Sequence, residues 1–260
     1  MCPSALDRVR LRGQVRSVYE RVAADPSSGF HFHTGLDYAV DKLGYDRAVL
    51  EQLPQRCSAR FSGVGNPFSA GEIPAGAVVL DHACGAGMDL LLAARLAGPT
   101  GYVIGVDVTP AMITSARAAA VEAGMSHRID FRPGLFEALP VDSGTIDVLI
   151  SNGVLNLSPD KLQVMREVFR VLKPGGQLLM ADVVVDRDLS MLARADADLW
   201  AACVSGAVKE SDLPLIAQEV GLTEVRVVQK FDCFRGTSVE RKFGRGLKVS
   251  AVSMFARKPL

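Results

Sequence analysis

Asp81-His82-Ala83-Cys84-Gly85-Ala86-Gly87 decides the fold of this chain. It follows an apolar run at residues 77–81 and precedes a stretch of helical spacing at residues 87–96. An acid at the end of a strand, then Gly-x-Gly, marks a chain turning sharply into a helix with its backbone open to a ligand. A second strand, residues 102–107, also ends in an acid, Asp107. Thr109-Pro110 then offers a helix N-cap and a first-turn proline, and that helix runs to about Ala123 and stops at Gly124. Short strands are expected at residues 128–132 and 145–150. Ser158-Pro159 repeats the cap signal and opens a helix to Leu172, which Lys173-Pro174-Gly175-Gly176 breaks. A fifth strand follows at residues 177–185, a helix at 211–220, and further strands at 225–230 and 249–257.

Strands and helices in this rhythm predict parallel βαβ units with right-handed crossovers. The expected fold is α/β: a seven-stranded, mostly parallel, doubly wound, Rossmann-like sheet with helices on both faces. Residues 1–75 read differently. A helix is expected at residues 8–24 and another at 46–53, capped by Asp46 and stopped by Pro54. This region reads as a helical cap over the mouth of the sheet, with residues 76–260 forming the ligand-binding domain.

Composition narrows the function. The chain has 260 residues, 48% hydrophobic and 22% charged, which suits one compact core with a small appendage. Its 29 basic and 29 acidic residues give no basic excess of the kind that holds nucleic acid. The tail around Arg235, Arg241, Lys242, Arg245 and Lys248 is locally basic and reads as a solvated surface. No apolar run is long enough for a membrane span, and no signal peptide opens the chain. Five scattered cysteines (Cys2, Cys57, Cys84, Cys203, Cys233) form no CxxC pair, so neither a metal site nor a disulfide framework is expected, and a cytoplasmic location fits.

Two ligand classes use a Gly-rich turn followed, some twenty residues on, by a strand-final acid. Dinucleotide enzymes have a third glycine, where this chain has Leu90, and a pyrophosphate that an acid at Asp89 would repel. S-adenosylmethionine carries no phosphate but has an ammonium and a sulfonium group, so acids such as Asp81 and Asp89 suit it. Asp107 can accept from ribose hydroxyls.

Together these residues resemble class I S-adenosylmethionine-dependent methyltransferases. The resemblance implies that S-adenosyl-L-methionine is the cofactor and a small molecule the methyl acceptor. It assigns Asp81, Ala83, Gly85, Gly87 and Asp89 to the first cofactor loop, and Asp107, Val108 and Met112 to the second strand and its helix. Ala83 stands where the family usually has glycine. Gly134-Leu135-Phe136-Glu137-Ala138-Leu139-Pro140 matches the segment flanking the adenine, so Leu135 and Phe136 join the cofactor set, although the family often has a polar residue at position 135. Ser151 and Asn152 face the transferred methyl in the family.

The runs Gly63-Val64-Gly65-Asn66-Pro67, Asp107-Val108-Thr109-Pro110, Ser151-Asn152-Gly153-Val154 and Cys203-Val204-Ser205-Gly206-Ala207 look like those of arsenite methyltransferases. That family implies thiolate ligands for arsenic at positions matching Val64, Gly153 and Cys203, and only Cys203 is a cysteine here. The expected activity is therefore methyl transfer to a small molecule by an arsenite-methyltransferase-like enzyme. Arsenite transfer with a reduced cysteine set is one alternative, and a non-methylating S-adenosylmethionine-binding protein or cyclase is another. Candidate catalytic residues are Asn152, Cys203 and the pair His31 and His33. Two histidines at i and i+2 on an extended segment point the same way and can act as base, metal ligand or packing.

Overall fold

A computed structural model describes residues 5–189, 194, 200, 203–238, 240 and 246–260. Cys2 and the basic-tail residues Arg241, Lys242 and Arg245 lie outside them. The sheet is built on β1 (Val78–Asp81), β2 (Tyr102–Asp107), β3 (Ile129–Pro133), β4 (Ile146–Asn152) and β5 (Leu172–Val185). The two-residue β6 (Val208–Lys209), β7 (Thr223–Phe231) and β8 (Val249–Arg257) complete it. The order is β3-β2-β1-β4-β5-β8-β7, with β6 paired to β5 off this path. β3, β2, β1, β4 and β5 run parallel, and β8 is antiparallel to both of its neighbours. The expected doubly wound sheet is thus present, with one short added strand.

Strand alternation sorts the core onto two faces. Val79, Val103 and Val148 point to one side, where α5 (Met88–Leu96) and α6 (Pro110–Glu122) pack Leu90, Leu91, Ala116 and Ala120 against them. Leu80, Ile104 and Leu149 point to the other, under α7 (Lys161–Val171) and α8 (Asp212–Glu219), which bring Val164, Val168 and Leu213.

The N-terminal region expected as a cap holds α1 (Ala5–Ala24), α2 (Leu36–Leu43), α3 (Arg47–Leu50) and α4 (Gln55–Ser58). Asp46 caps α3 as expected, accepting from Ala48 N at 2.8 Å, but α3 is a single turn. Leu11, Val15, Leu43, Leu50, Cys57 and Phe61 belong to the same buried cluster as Val79 and Val148. The cap and the first face of the sheet therefore share one core.

Two expected caps need correction. Thr109 makes no side-chain cap on α6, because its hydroxyl is drawn to the Asp107 carboxylate. Ser158 is not the cap of α7: the helix begins at Lys161, its cap is Asp160, which accepts from Gln163 N at 3.1 Å, and Ser158 lies ahead of it with its hydroxyl donating to Glu137 Oε1 at 2.8 Å. In both places the hydroxyl donates to a carboxylate, and Ser158 Oγ also accepts from Asp160 N at 3.0 Å, one residue ahead of the helix it was expected to cap. β5 also starts earlier than the Pro-Gly-Gly break suggests, because Leu172 pairs with Ile146 before the register shifts.

Candidate active site

The carboxyl ends of β1, β2 and β4 open into one cleft. Its frame is Asp107. Oδ2 accepts from Gly85 N at 2.9 Å and Oδ1 from Thr109 N at 2.7 Å, so one carboxylate ties the loop after β1 to the turn into α6. Gly85 and Gly87 have φ of +51° and +93°, a region that penalises any side chain. A methyl group on Gly85 would meet no protein atom within 4 Å, whereas one on Gly87 would sit 3.1 Å from Ala116 Cβ. Gly85 thus leaves room for a ligand, and Gly87 lets α6 pack closely.

Asp89 forms a second frame. Its Oδ1 accepts from the Tyr45 hydroxyl at 2.8 Å and its Oδ2 from Asn152 Nδ2 at 2.9 Å. Asn152 reaches further, with Oδ1 accepting from Val64 N at 2.8 Å and Nδ2 donating to Gly65 O at 2.9 Å. One amide therefore pins the cap loop around residues 62–65 to the end of β4.

Asp81, Asp89 and Asp107 are 4%, 8% and 9% exposed and line the same cleft. Burial raises the pKa of all three, and for Asp89 it does so to about 6. Asp81 is pushed up further by the nearby charges of Asp89 and Asp107. A partly enclosed cleft lined by three buried carboxylates favours a cation. Burial pushes His82 down to about 3, so it is a neutral imidazole, with Nε2 at 2.8 Å from Ser151 Oγ.

Helix α1 closes the mouth. Val15 and Tyr19 line the cleft, Arg12 Nη2 lies 3.4 Å from Glu137 Oε1, and Arg60 Nε donates to Ala23 O at 2.7 Å.

Of the residues expected to hold a cofactor, Asp81, Ala83, Gly85, Gly87, Asp89, Asp107, Val108, Phe136 and Asn152 line this cleft. Met112, Leu135 and Ser151 do not. Met112 is 1% exposed and packs with Val22 and Ala86, and Ser151 lies beneath, against His82. His31 and His33 are not brought to the lining either. The chain there is not a strand: His31 Nδ1 lies 3.0 Å from Ser238 Oγ, and His33 Nε2 donates to Arg235 O at 3.0 Å. They lace the N-terminal loop to a C-terminal segment. Among the described residues no group of three His, Cys, Asp or Glu is arranged to hold a metal ion. Positions 64 and 153 are neighbours: a methyl group on Gly153 would lie 3.3 Å from Val64 Cγ1. Tyr45, Tyr19 and Arg12 were not anticipated as site residues. Each arrives from the cap through contacts that local sequence pattern does not signal.

Residues 73–221 match a methyltransferase domain family. The chain is 36% identical over 222 residues to an arsenite methyltransferase of Halobacterium salinarum, covering 84% of this chain and 56% of that protein. It is 38% identical over 190 residues to an arsenite methyltransferase of Aquipseudomonas alcaligenes, covering 70% of this chain and 54% of that one. The chain thus spans about half the length of these curated relatives. The solved arsenic (III) S-adenosylmethionine methyltransferase of Chlamydomonas reinhardtii superposes with a TM-score of 0.73 at 32% identity, over 82% of this chain and 73% of that one. Fold, cleft and relatives agree: the chain belongs to the class I S-adenosylmethionine-dependent methyltransferase family, close to the arsenite methyltransferases.

Proposed function

We propose that this protein is an enzyme that transfers the methyl group of S-adenosylmethionine to a small-molecule acceptor entering beneath the N-terminal cap. The observation that carries the reading is the convergence of Asp81, Asp89 and Asp107 on one buried cleft floored by Gly85. These residues fit the cofactor. Asp107 keeps lone pairs for ribose hydroxyls, and Asp81 and Asp89 supply the negative charge that an ammonium needs. Bound there, S-adenosylmethionine supplies a sulfonium-activated methyl group for in-line displacement. The chain excludes water with α1 and fixes the acceptor wall with Asn152. No thiol stands where Val64 and Gly153 meet, so arsenic has no ligand at those two positions. Free cysteines at 57, 84, 203 and 233 support a reducing, cytoplasmic setting. No helix of the described residues is long and apolar enough to cross a membrane, and the balanced charge gives nucleic acid no footprint.

The buried acid sets a pH dependence. In the folded protein Asp89 titrates near 6, above the ordinary carboxylate range. Its protonated form is therefore favoured on folding, and the stability this gives is full in acid and lost as pH rises towards about 6. A cationic cofactor prefers the ionised form, so affinity runs the other way. It is expected to fall roughly tenfold per unit below about pH 6, with proton uptake by Asp89 as the cause. Calorimetry at pH 5, 6 and 7 checks this, and Asp89→Asn should flatten the profile.

The function itself is tested with purified protein, methyl-labelled cofactor and a panel of thiols, amines and arsenite with glutathione. Label should appear on at least one small acceptor. Failure of the wild-type protein to bind S-adenosylmethionine in calorimetry would sink the reading.

A further inference from the structure

The cleft just described is lined by three carboxylates and, among the described residues, by one cationic side chain, Arg60. His82 also lines it but is a neutral imidazole, and Cys203, expected as a catalytic candidate, is buried outside the lining. Arg60 is partly buried and follows α4, just before the loop around residues 62–65 that Asn152 pins. Main-chain oxygens hold its guanidinium in place. Nε donates to Ala23 O at 2.7 Å, at the end of α1, and Nη1 donates to Arg56 O at 3.2 Å. These bonds occupy two of the five N–H groups an arginine carries, and neither offsets its charge. Among the described residues Arg60 forms no ion pair with an acid, whereas Arg12, at the same mouth, is paired with Glu137. A fixed guanidinium with N–H groups to spare is a fork for a carboxylate.

The position of Arg60 says which carboxylate. Gly63 follows three residues later, and a methyl group there would lie 2.3 Å from Asn152 Nδ2. That same nitrogen donates to Asp89 Oδ2 at 2.9 Å. Arg60 and Asp89 are thus joined through Asn152 and a short run of chain, and both line one cleft. An α-amino acid carries its ammonium and its carboxylate on the same carbon, so the groups that hold the two must be neighbours. The cleft has acids for an ammonium and for ribose, and Arg60 has the charge that the remaining carboxylate needs.

We propose that Arg60 anchors the carboxylate of S-adenosylmethionine's amino-acid end, beside Asp81 and Asp89, which take its ammonium. The inference rests on the methyltransferase reading and deepens it: the cleft recognises the amino acid as a zwitterion, and Arg60 is a cofactor-positioning residue. No bond forms or breaks at Arg60, whose part is to fix the end of the cofactor remote from the adenine. Because the same guanidinium holds Ala23 O, it also joins that carboxylate to the helix that closes the mouth.

The test compares S-adenosylmethionine with decarboxylated S-adenosylmethionine, which keeps the ammonium, sulfonium, ribose and adenine and lacks only the carboxylate. Calorimetry is run on the wild-type protein, Arg60→Gln and Arg60→Lys. Wild type should bind the decarboxylated compound roughly 10- to 100-fold more weakly, the range for losing a charged hydrogen-bond partner. Arg60→Gln should lose a similar factor towards S-adenosylmethionine yet match wild type towards the decarboxylated compound. Arg60→Lys should fall between, since it keeps the charge and loses the fork. A merely structural role, bracing α1 through Ala23 O, would weaken both ligands equally, and that result overturns the proposal. So does an unchanged S-adenosylmethionine affinity in Arg60→Gln, including the case where Arg60 serves a carboxylate on the acceptor instead. Where Arg60→Gln fails to fold, Arg60→Lys and the wild-type comparison remain, and equal wild-type affinity for the two compounds removes the site. No binding of S-adenosylmethionine by wild type removes the methyltransferase reading, whereas binding with an equal loss of both ligands in the variants removes the Arg60 anchor alone.

Discussion

Replacing Asp107 with alanine is expected to weaken S-adenosylmethionine binding about 100-fold, an effect of roughly 2.7 kcal/mol read by calorimetry. The carboxylate makes two bonds to backbone donors, 2.9 Å to Gly85 N and 2.7 Å to Thr109 N. Hydrogen bonds to a charged group contribute roughly 1.5–3 kcal/mol each. Alanine releases the loop after β1 from the turn into α6 and removes the acceptor for the ribose together. Asp107→Asn is the sharper comparison. Its amide nitrogen must face one of two N–H donors, so only one of the pair can be satisfied, and a loss of roughly tenfold is expected. Binding by Asp107→Ala at wild-type affinity would show that the cofactor lies elsewhere.

Asn152→Ala is expected to cost about 3 kcal/mol of stability and to abolish methyl transfer. The amide serves Val64 N, Gly65 N, Gly65 O and Asp89 Oδ2 at once, at distances of 2.8, 3.2, 2.9 and 2.9 Å. Alanine leaves a buried carboxylate with Tyr45 as its remaining side-chain donor and frees two backbone N–H groups. Unfolding should shift down by roughly 6–12 °C. Gly63→Ala should reproduce the defect from the other side, since its Cβ would lie 2.3 Å from Asn152 Nδ2. Because both changes break the same contact, the double variant should lose less than the sum of the two. A wild-type melting curve for Asn152→Ala would refute the pinning role.

What could be read from the chain follows from range. β1, β2 and β4 are short runs of Val, Ile and Leu buried on both faces, so composition alone marks them, and the acids at the ends of β1 and β2 point to the cleft. Helices α2 and α4, of eight and four residues, are too short to display a period and were not anticipated. Thr109 and Ser158 carry the local signature of a helix cap, yet each hydroxyl goes to an acid. His31 and His33 look like chemistry in a short motif, but their partners, Ser238 and Arg235, are some 200 residues away. Tyr45 shows the same limit: nothing near it in sequence announces that it will meet Asp89.

The Asn152 junction has a consequence for how the molecule assembles. Its contacts to Val64 and Tyr45 close loops of 88 and 107 residues, and that to Asp89 one of 63. Long closures yield no stabilising contact until most of the intervening chain is ordered, so they are late events on the path to the native state. Through them the cap and the end of β4 are brought together only once the intervening residues are ordered, so this wall of the cleft is completed with the fold. A cofactor that binds this cleft therefore stabilises only the completed fold, and its presence pulls the last stage of folding forward by mass action.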